Sequence, residues 1–199
     1  MEQEKVWNCV AQGWYGFRHW PNPHLVKELA EKWKPGKILD IGCGNCRNLM
    51  PFAKKGFGCD GIDFSKEMIK YSEKYCDKHK FKVNLKIADA KKLPFKDNTF
   101  DYVLFIASLH CIKKDREEAL LEMKRVMKKN GLALITVWNK LQKEFLFKPN
   151  DIYVRWGKHE RYYHIFKPWE LSKLLKKTGF KIIKKNLFGR ELHFIVKKV

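Results

Sequence analysis

Apolar and polar positions along the chain follow two periods. Apolar runs at residues 37–41, 57–62, 100–106 and 132–138 read as strands, and those at 100–106 and 132–138 are continuous enough to be buried on both faces. Segments near 24–33 and at 47–55, 65–78, 115–127 and 168–177 read as helices. Ser65 with Glu67 in the first turn marks a helix start. Residues 81–88 alternate, Val83, Leu85 and Ile87 facing one way and Lys82, Asn84 and Lys86 the other, which predicts a half-exposed strand. Asn130-Gly131 turns the chain into the run at 132–138, and Thr178-Gly179 ends the last helix. Two final strands, 180–187 and 191–197, meet at Phe188-Gly189-Arg190 as a hairpin. Residues 139–164 break the alternation and predict an inserted loop or short-helix segment on the substrate side. Five β/α units and then an antiparallel hairpin predict one α/β domain over residues 1–199. Its sheet would have seven mostly parallel strands, with helices on both faces.

Composition narrows the partners. The chain has 199 residues, 45% hydrophobic and 14% aromatic, enough for one domain with a core. No apolar run reaches the roughly 18 residues that span a membrane, and the polar start at residues 1–5 does not read as a signal peptide. Six cysteines are scattered. Cys43 and Cys46 have C-x-x-C spacing but no second pair, so reduced cytoplasmic thiols are expected and no metal. The balance of 42 Lys+Arg against 22 Asp+Glu, formally +20, favours a polyanionic partner such as nucleic acid. An anionic membrane surface or a lysine-rich proteome are the alternatives.

The candidate chemistry begins after the first strand. Asp40 is followed by Gly42-Cys43-Gly44, and then a helical pattern opens. That is the strand, glycine turn and helix of a nucleotide pocket at a strand's carboxyl end. The third glycine of G-x-G-x-x-G is missing, and Asp40 suits a ligand carrying an ammonium group, as S-adenosylmethionine (SAM) does. Asp63, at the end of the second strand, stands about 20 residues past the turn, where an acid accepts ribose hydroxyls. Asp89 follows the third strand, where it can accept from an adenine amine, with Ala90 offering a backbone N–H. Each Asp alone reads as a cap or turn residue; three at successive strand ends form a set.

With these residues in place, the chain resembles class I SAM-dependent methyltransferases over most of its length. The resemblance implies a Rossmann-like fold and SAM as cofactor. Asp40, Gly42 and Gly44 would line its methionine end, Asp63 the ribose, Asp89 and Ala90 the adenine, with Ile106 also in the pocket. The family turn usually reads G-x-G-x-G, and Cys46 stands at the last glycine, a strained place if φ is positive there.

A narrower resemblance rests on Ile106-Ala107-Ser108-Leu109-His110-Cys111, on Arg161-Tyr162-Tyr163-His164-Ile165-Phe166 and on an aromatic start ending Trp20-Pro21. Together these look like the tRNA wobble-uridine carboxymethyl methyltransferases, which esterify 5-carboxymethyluridine in the anticodon. Cys111 replaces that family's second histidine. The resemblance implies tRNA as partner and a donor set of His110, Arg161, Tyr163 and His164, with Arg18 as a second basic group. It also implies a small zinc-binding activator protein that adds a strand to the sheet. The edge strand at 81–88 would receive it, although its lysines are what an edge carries against such pairing.

Plainer readings stand beside these. His110 can be a hydrogen-bonded structural residue, and Arg161 can pair with Glu160 or Glu170. Of Tyr162 and Tyr163, one can face the core. Trp7, Trp14 and Trp20 can stack on bases or form a lid over SAM from residues 1–23. The lysines at 173, 176, 177, 184, 185, 197 and 198 can be a solvated face or track phosphates. Two rival functions follow: a small-molecule (quinone- or metabolite-type) methyltransferase, and a non-catalytic SAM-fold subunit that binds RNA.

Overall fold

The structure is a computed structural model that describes residues 3–17 and 23–199. The seven-stranded sheet is built from β1 (Lys37–Ile41), β2 (Gly58–Asp63), β3 (Asn84–Ile87), β4 (Phe100–Ile106), β5 (Met127–Trp138), β8 (Phe180–Asn186) and β9 (Glu191–Lys198). Its order is β3-β2-β1-β4-β5-β9-β8. The strands up to β5 pair in parallel, and β9 runs antiparallel between β5 and β8. The strand order reverses between β1 and β4, which opens a crevice at the carboxyl ends.

Side-chain alternation along the central strands divides the core in two. Leu39, Ile41, Val103 and Phe105 pack with Leu120 and Met123 of α5 (Arg116–Val126) and Leu171 and Leu175 of α6 (Pro168–Lys177). Ile38, Leu104 and Ile106 pack with Val26 and Leu29 of α2 (Pro23–Lys32), Phe52 of α3 (Met50–Ala53) and Ile69 of α4 (Lys66–His79). Helices therefore cover both faces, as the sequence pattern predicts.

Three segments differ from the sequence expectation. The helix expected at 47–55 is only Met50–Ala53. Cys46 has φ 61°, so the chain leaves the turn in a left-handed conformation, and Pro51 then fits only a first helical turn. The strand expected at 81–88 is Asn84–Ile87, because Lys80 caps α4 in a left-handed conformation and Phe81 N–H donates back to Cys76 O at 3.1 Å. The segment 139–164, expected as loop or short helix, contains an antiparallel hairpin of β6 (Asp151–Trp156) and β7 (His159–His164). Its pattern is hidden because β7 buries polar residues, Arg161 and His164, together with Tyr162 and Tyr163.

The hairpin lies beneath α1 (Gln3–Phe17), whose Trp7, Val10 and Ala11 form a third cluster with Met68, Phe145, Tyr163 and Ile165. Asn8 fixes this helix to the start of α4: its Oδ1 accepts from Ser65 Oγ at 2.7 Å and Glu67 N–H at 3.2 Å. Gln3 fixes the other end, accepting from Tyr162 N–H at 2.9 Å. Arg18 and Trp20, named on sequence grounds, lie outside the described residues. Among the described residues no helix is long and apolar enough to cross a membrane.

Candidate active site

The turn after β1 is held from several sides. Cys43 N–H donates to Ile62 O at 2.8 Å, and Ser108 Oγ donates to Ile41 O at 2.8 Å. Gly42 has φ 70°, and a Cβ there would come within 2.6 Å of Ser108 Cβ, so only glycine fits. Gly44 N–H donates to Asp63 Oδ2 at 3.1 Å, while Asp63 Oδ1 accepts from Ser65 N–H at 2.9 Å. Burial pushes the Asp63 carboxyl up to about 6, against the pull of the Ser65, Gly44 and Phe64 amides.

Gly42, Gly44, Asp63, Asp89, Ala90 and Ile106 line one cavity of about 690 Å³ above the strand ends, and Trp7 and Trp14 of α1 form part of its wall. The amide that would face a diphosphate at a glycine turn, Gly44 N–H, is already engaged by Asp63. A carboxylate there repels phosphate and accepts from a diol. Asp89 Oδ1 accepts from Lys91 N–H at 2.9 Å. Apolar Ile62, Phe64 and Met68 also line the cavity. The set fits a nucleoside: hydroxyls for Asp63 and a ring over the apolar wall.

Asp40 is placed differently from expectation. It lies off the cavity, 1% exposed, with neither carboxylate oxygen hydrogen-bonded. Burial pushes its carboxyl up to about 8; Arg47 opposes that shift and Asp63 adds to it. It shares the β1 face of Ile38, which is turned toward α2, α3 and α4, and this directs the side chain away from the cavity.

The expected donor set also lies off the cavity. His110 is buried, its Nδ1 accepting from Trp138 N–H at 3.0 Å. Burial pushes it down to about 3, so it is neutral and a weak base. His164 is corrected as a donor to a substrate carboxylate: Asp151 sits 2.8 Å from Nδ1 and Glu170 2.6 Å from Nε2, so both ring nitrogens are taken. Those carboxylates tie β6, β7 and α6 together, with Tyr162 bonded to Asp151 and Arg116. Of the two tyrosines, Tyr163 is the one packed under α1, stacked on Trp138 with ring centroids 4.4 Å apart.

Arg161 is 5% exposed and its Nη1 donates to Tyr163 Oη at 2.8 Å. Its guanidinium lies 4.9 to 5.7 Å from the rings of Trp156, Tyr163, Trp14 and Trp7. It pairs with neither Glu160 nor Glu170. Because Trp7 and Trp14 line the cavity, Arg161 stands one aromatic layer behind its wall. Sequence reasoning missed Ser108 and Asn8 as site-shaping residues. Ser108 stood inside the motif after the fourth strand, whereas nothing in the sequence marks Asn8 as a cap for a helix so distant in the chain.

A nucleoside cavity at the switch point of a mostly parallel sheet defines the Rossmann-like, nucleoside-cofactor class. The Methyltransferase domain family matches residues 39–135, which holds the glycine turn, Asp63, Asp89 and β4. The chain is 30% identical over 153 residues to a ubiquinone biosynthesis O-methyltransferase of Pelagibacter ubique, covering 74% of this chain and 62% of that one. It is 32% identical over 136 residues to the tRNA (carboxymethyluridine(34)-5-O)-methyltransferase alkbh8 of Xenopus tropicalis, covering 67% of this chain and 20% of that longer protein. In structure it resembles the methyltransferase solved with the Trm112 methyltransferase activator of Haloferax volcanii, with a TM-score of 0.72, 16% identity, and 100% and 98% of the two chains covered. The chain belongs to the class I SAM-dependent methyltransferases, and its cofactor is SAM.

Proposed function

We propose that this methyltransferase esterifies the carboxylate of 5-carboxymethyluridine at the wobble position of tRNA. The observation that carries the reading is Arg161. A buried guanidinium ordinarily has a carboxylate partner, and among the described residues none lies within ion-pair distance of Arg161. Its neighbours are rings and the Tyr163 hydroxyl. An acceptor carboxylate would complete the pair once the indoles of Trp7 and Trp14 shift.

The chemistry suits this donor. SAM supplies the methyl group on a sulfonium. The acceptor oxygen forms the new C–O bond as the C–S bond breaks, and a carboxylate is already ionised at neutral pH. The site therefore needs positioning and exclusion of water rather than a base. Arg161 holds the carboxylate, Tyr163 holds Arg161, and His164 positions the hairpin that carries both. Arg18 remains our candidate for a second basic group. Asp63 takes the ribose, and Asp89 and Ala90 the adenine.

The frog relative's activity supports this substrate, and the net charge of +20 supports an RNA. The Haloferax complex supports an activator subunit; β3, the edge strand of the sheet, is where we place it. The likeness to the Pelagibacter quinone enzyme favours a second reading, methylation of a phenol. A phenol needs a base, and His110 is a poor one, neutral and off the cavity.

Incubation with labelled SAM, bulk tRNA and a quinol precursor, followed by nucleoside analysis, tests both. Label in a base-labile methyl ester of a tRNA nucleoside is the expected result. Label confined to the quinol fraction would overturn the proposal.

A further inference from the structure

A second concavity, of about 740 Å³, lies away from the cofactor cavity, between α6 and the end of β8. Trp169, Ser172, Lys173, Lys176 and Lys177 form its helical wall, and Lys185 stands opposite on β8. Leu171 and Leu175 face the core, which leaves Trp169, Lys173 and Lys176 on the outer face of α6 at helical spacing. Trp169 is 63% exposed, a large exposure for an indole, and Lys167 Nζ lies 5.7 Å from its ring. Lys177 is engaged by Glu117 at 2.6 Å. No carboxylate lies within ion-pair distance of Lys173, Lys176 or Lys185 among the described residues.

The groove also has a direction. β8 is antiparallel to β9, which is antiparallel to β5, so β8 runs the same way as β5. Lys185 and Leu187 therefore lie near the carboxyl edge of the sheet. α6 starts at that edge as well, because Phe166 is bonded to the chain just beyond β5. One end of the groove thus reaches the edge on which the cofactor cavity opens.

We propose that this groove is a docking surface for the sugar-phosphate backbone of the substrate RNA, with Trp169 stacking on a base or ribose. The inference rests on the tRNA reading above and adds where the RNA lies outside the reacting nucleotide. Cations on both walls of a concave channel suit a strand of phosphates, whereas a lipid surface is met by protruding residues. An exposed aromatic beside lysines is the arrangement that stacks on unpaired bases.

The test uses the full chain with Lys173→Ala, Lys176→Ala and Lys185→Ala combined, with Trp169→Ala alone, and with all three lysines changed to arginine. Affinity for bulk tRNA is measured across a salt series. The triple alanine variant should bind about a hundredfold more weakly at low salt, with the slope of log affinity against log salt reduced by about 2 to 3. Trp169→Ala should lose about tenfold, and the arginine variant should keep the parent affinity. Unchanged heat-stabilisation by SAM confirms that each variant is folded. Parent-like affinity and slope in the triple alanine variant overturn the docking surface even where tRNA is methylated. Lysine-dependent tRNA binding by a chain that transfers no methyl to tRNA keeps the surface and removes the proposed reaction. Absence of tRNA binding, or lysine-dependent binding to phosphatidylcholine vesicles containing phosphatidylserine in its place, overturns it.

Discussion

Arg161 Nη1 donates to the Tyr163 hydroxyl at 2.8 Å, and the two side chains stand two residues apart on one face of β7. Arg161→Met removes this bond, at a cost of about 1 to 3 kcal/mol. Adding Tyr163→Phe removes its other partner, so the double variant should lose less stability than the sum of the two single changes. Methyl transfer to tRNA should fall about 10- to 100-fold in both variants, the equivalent of about 1.5 to 3 kcal/mol of charge-assisted bonding. Denaturant melts and initial rates at saturating SAM check the two halves separately. A double variant that methylates tRNA at the parent rate would remove Arg161 from acceptor recognition.

The cofactor side of this protein was legible because its signals are local. Apolar runs set β1 and β4, Asp63 and Asp89 follow strand ends, and the glycine turn needs only neighbouring residues to declare itself. The acceptor side was not, because it is assembled from distant pieces. Arg161 and His164 look like free functional groups in a polar, aromatic stretch. Their burial depends on α1, which begins far upstream and is fixed by Asn8 and Gln3. The same burial erased the strand pattern of β7, so the hairpin read as loop. Asp40 was legible as an acid before a turn, but the side of the strand it takes depends on the register of β1.

Cys46 carries φ 61° at the position where the family turn has glycine. A left-handed conformation costs a side-chain-bearing residue about 1 to 2 kcal/mol, while the fully buried thiol packs in the core between β2 and the helices. Cys46→Ala loses the sulfur and keeps the strain; Cys46→Gly loses the sulfur and relieves it. The glycine variant should therefore be more stable than the alanine variant by about 1 kcal/mol, the reverse of the usual order inside a helix. Chemical denaturation of both variants measures the difference, and an alanine variant at least as stable as the glycine one would show that the turn is unstrained.

Asp63 gives SAM binding a pH dependence. Its carboxyl, raised by burial to about 6, must be ionised to accept hydroxyls on both oxygens while holding the Gly44 and Ser65 amides. Binding then requires loss of one proton below that value. SAM affinity should be flat above about pH 7 and fall about tenfold per pH unit below about pH 6. Calorimetric titration over that range is the measurement. Asp63→Asn should bind weakly with no such slope, and a parent affinity independent of pH would exclude Asp63 as the ribose acceptor.

Asp40 links the fold's stability to pH with the opposite sign from an ion-paired carboxylate. Burial raises it to about 8, whereas an unfolded Asp titrates near 3.9. Between those values the folded chain holds a proton that the unfolded chain has released, so stability from this group is full below about pH 4 and declines as the pH rises toward about 8. Asparagine has nearly the same shape and does not titrate. The stability difference between Asp40→Asn and the parent should thus move in the variant's favour by several kcal/mol between about pH 4 and about pH 8. Denaturation midpoints at the two pH values read it directly. A gap that stays constant with pH would mean that Asp40 is ionised throughout, with Arg47 compensating for its burial.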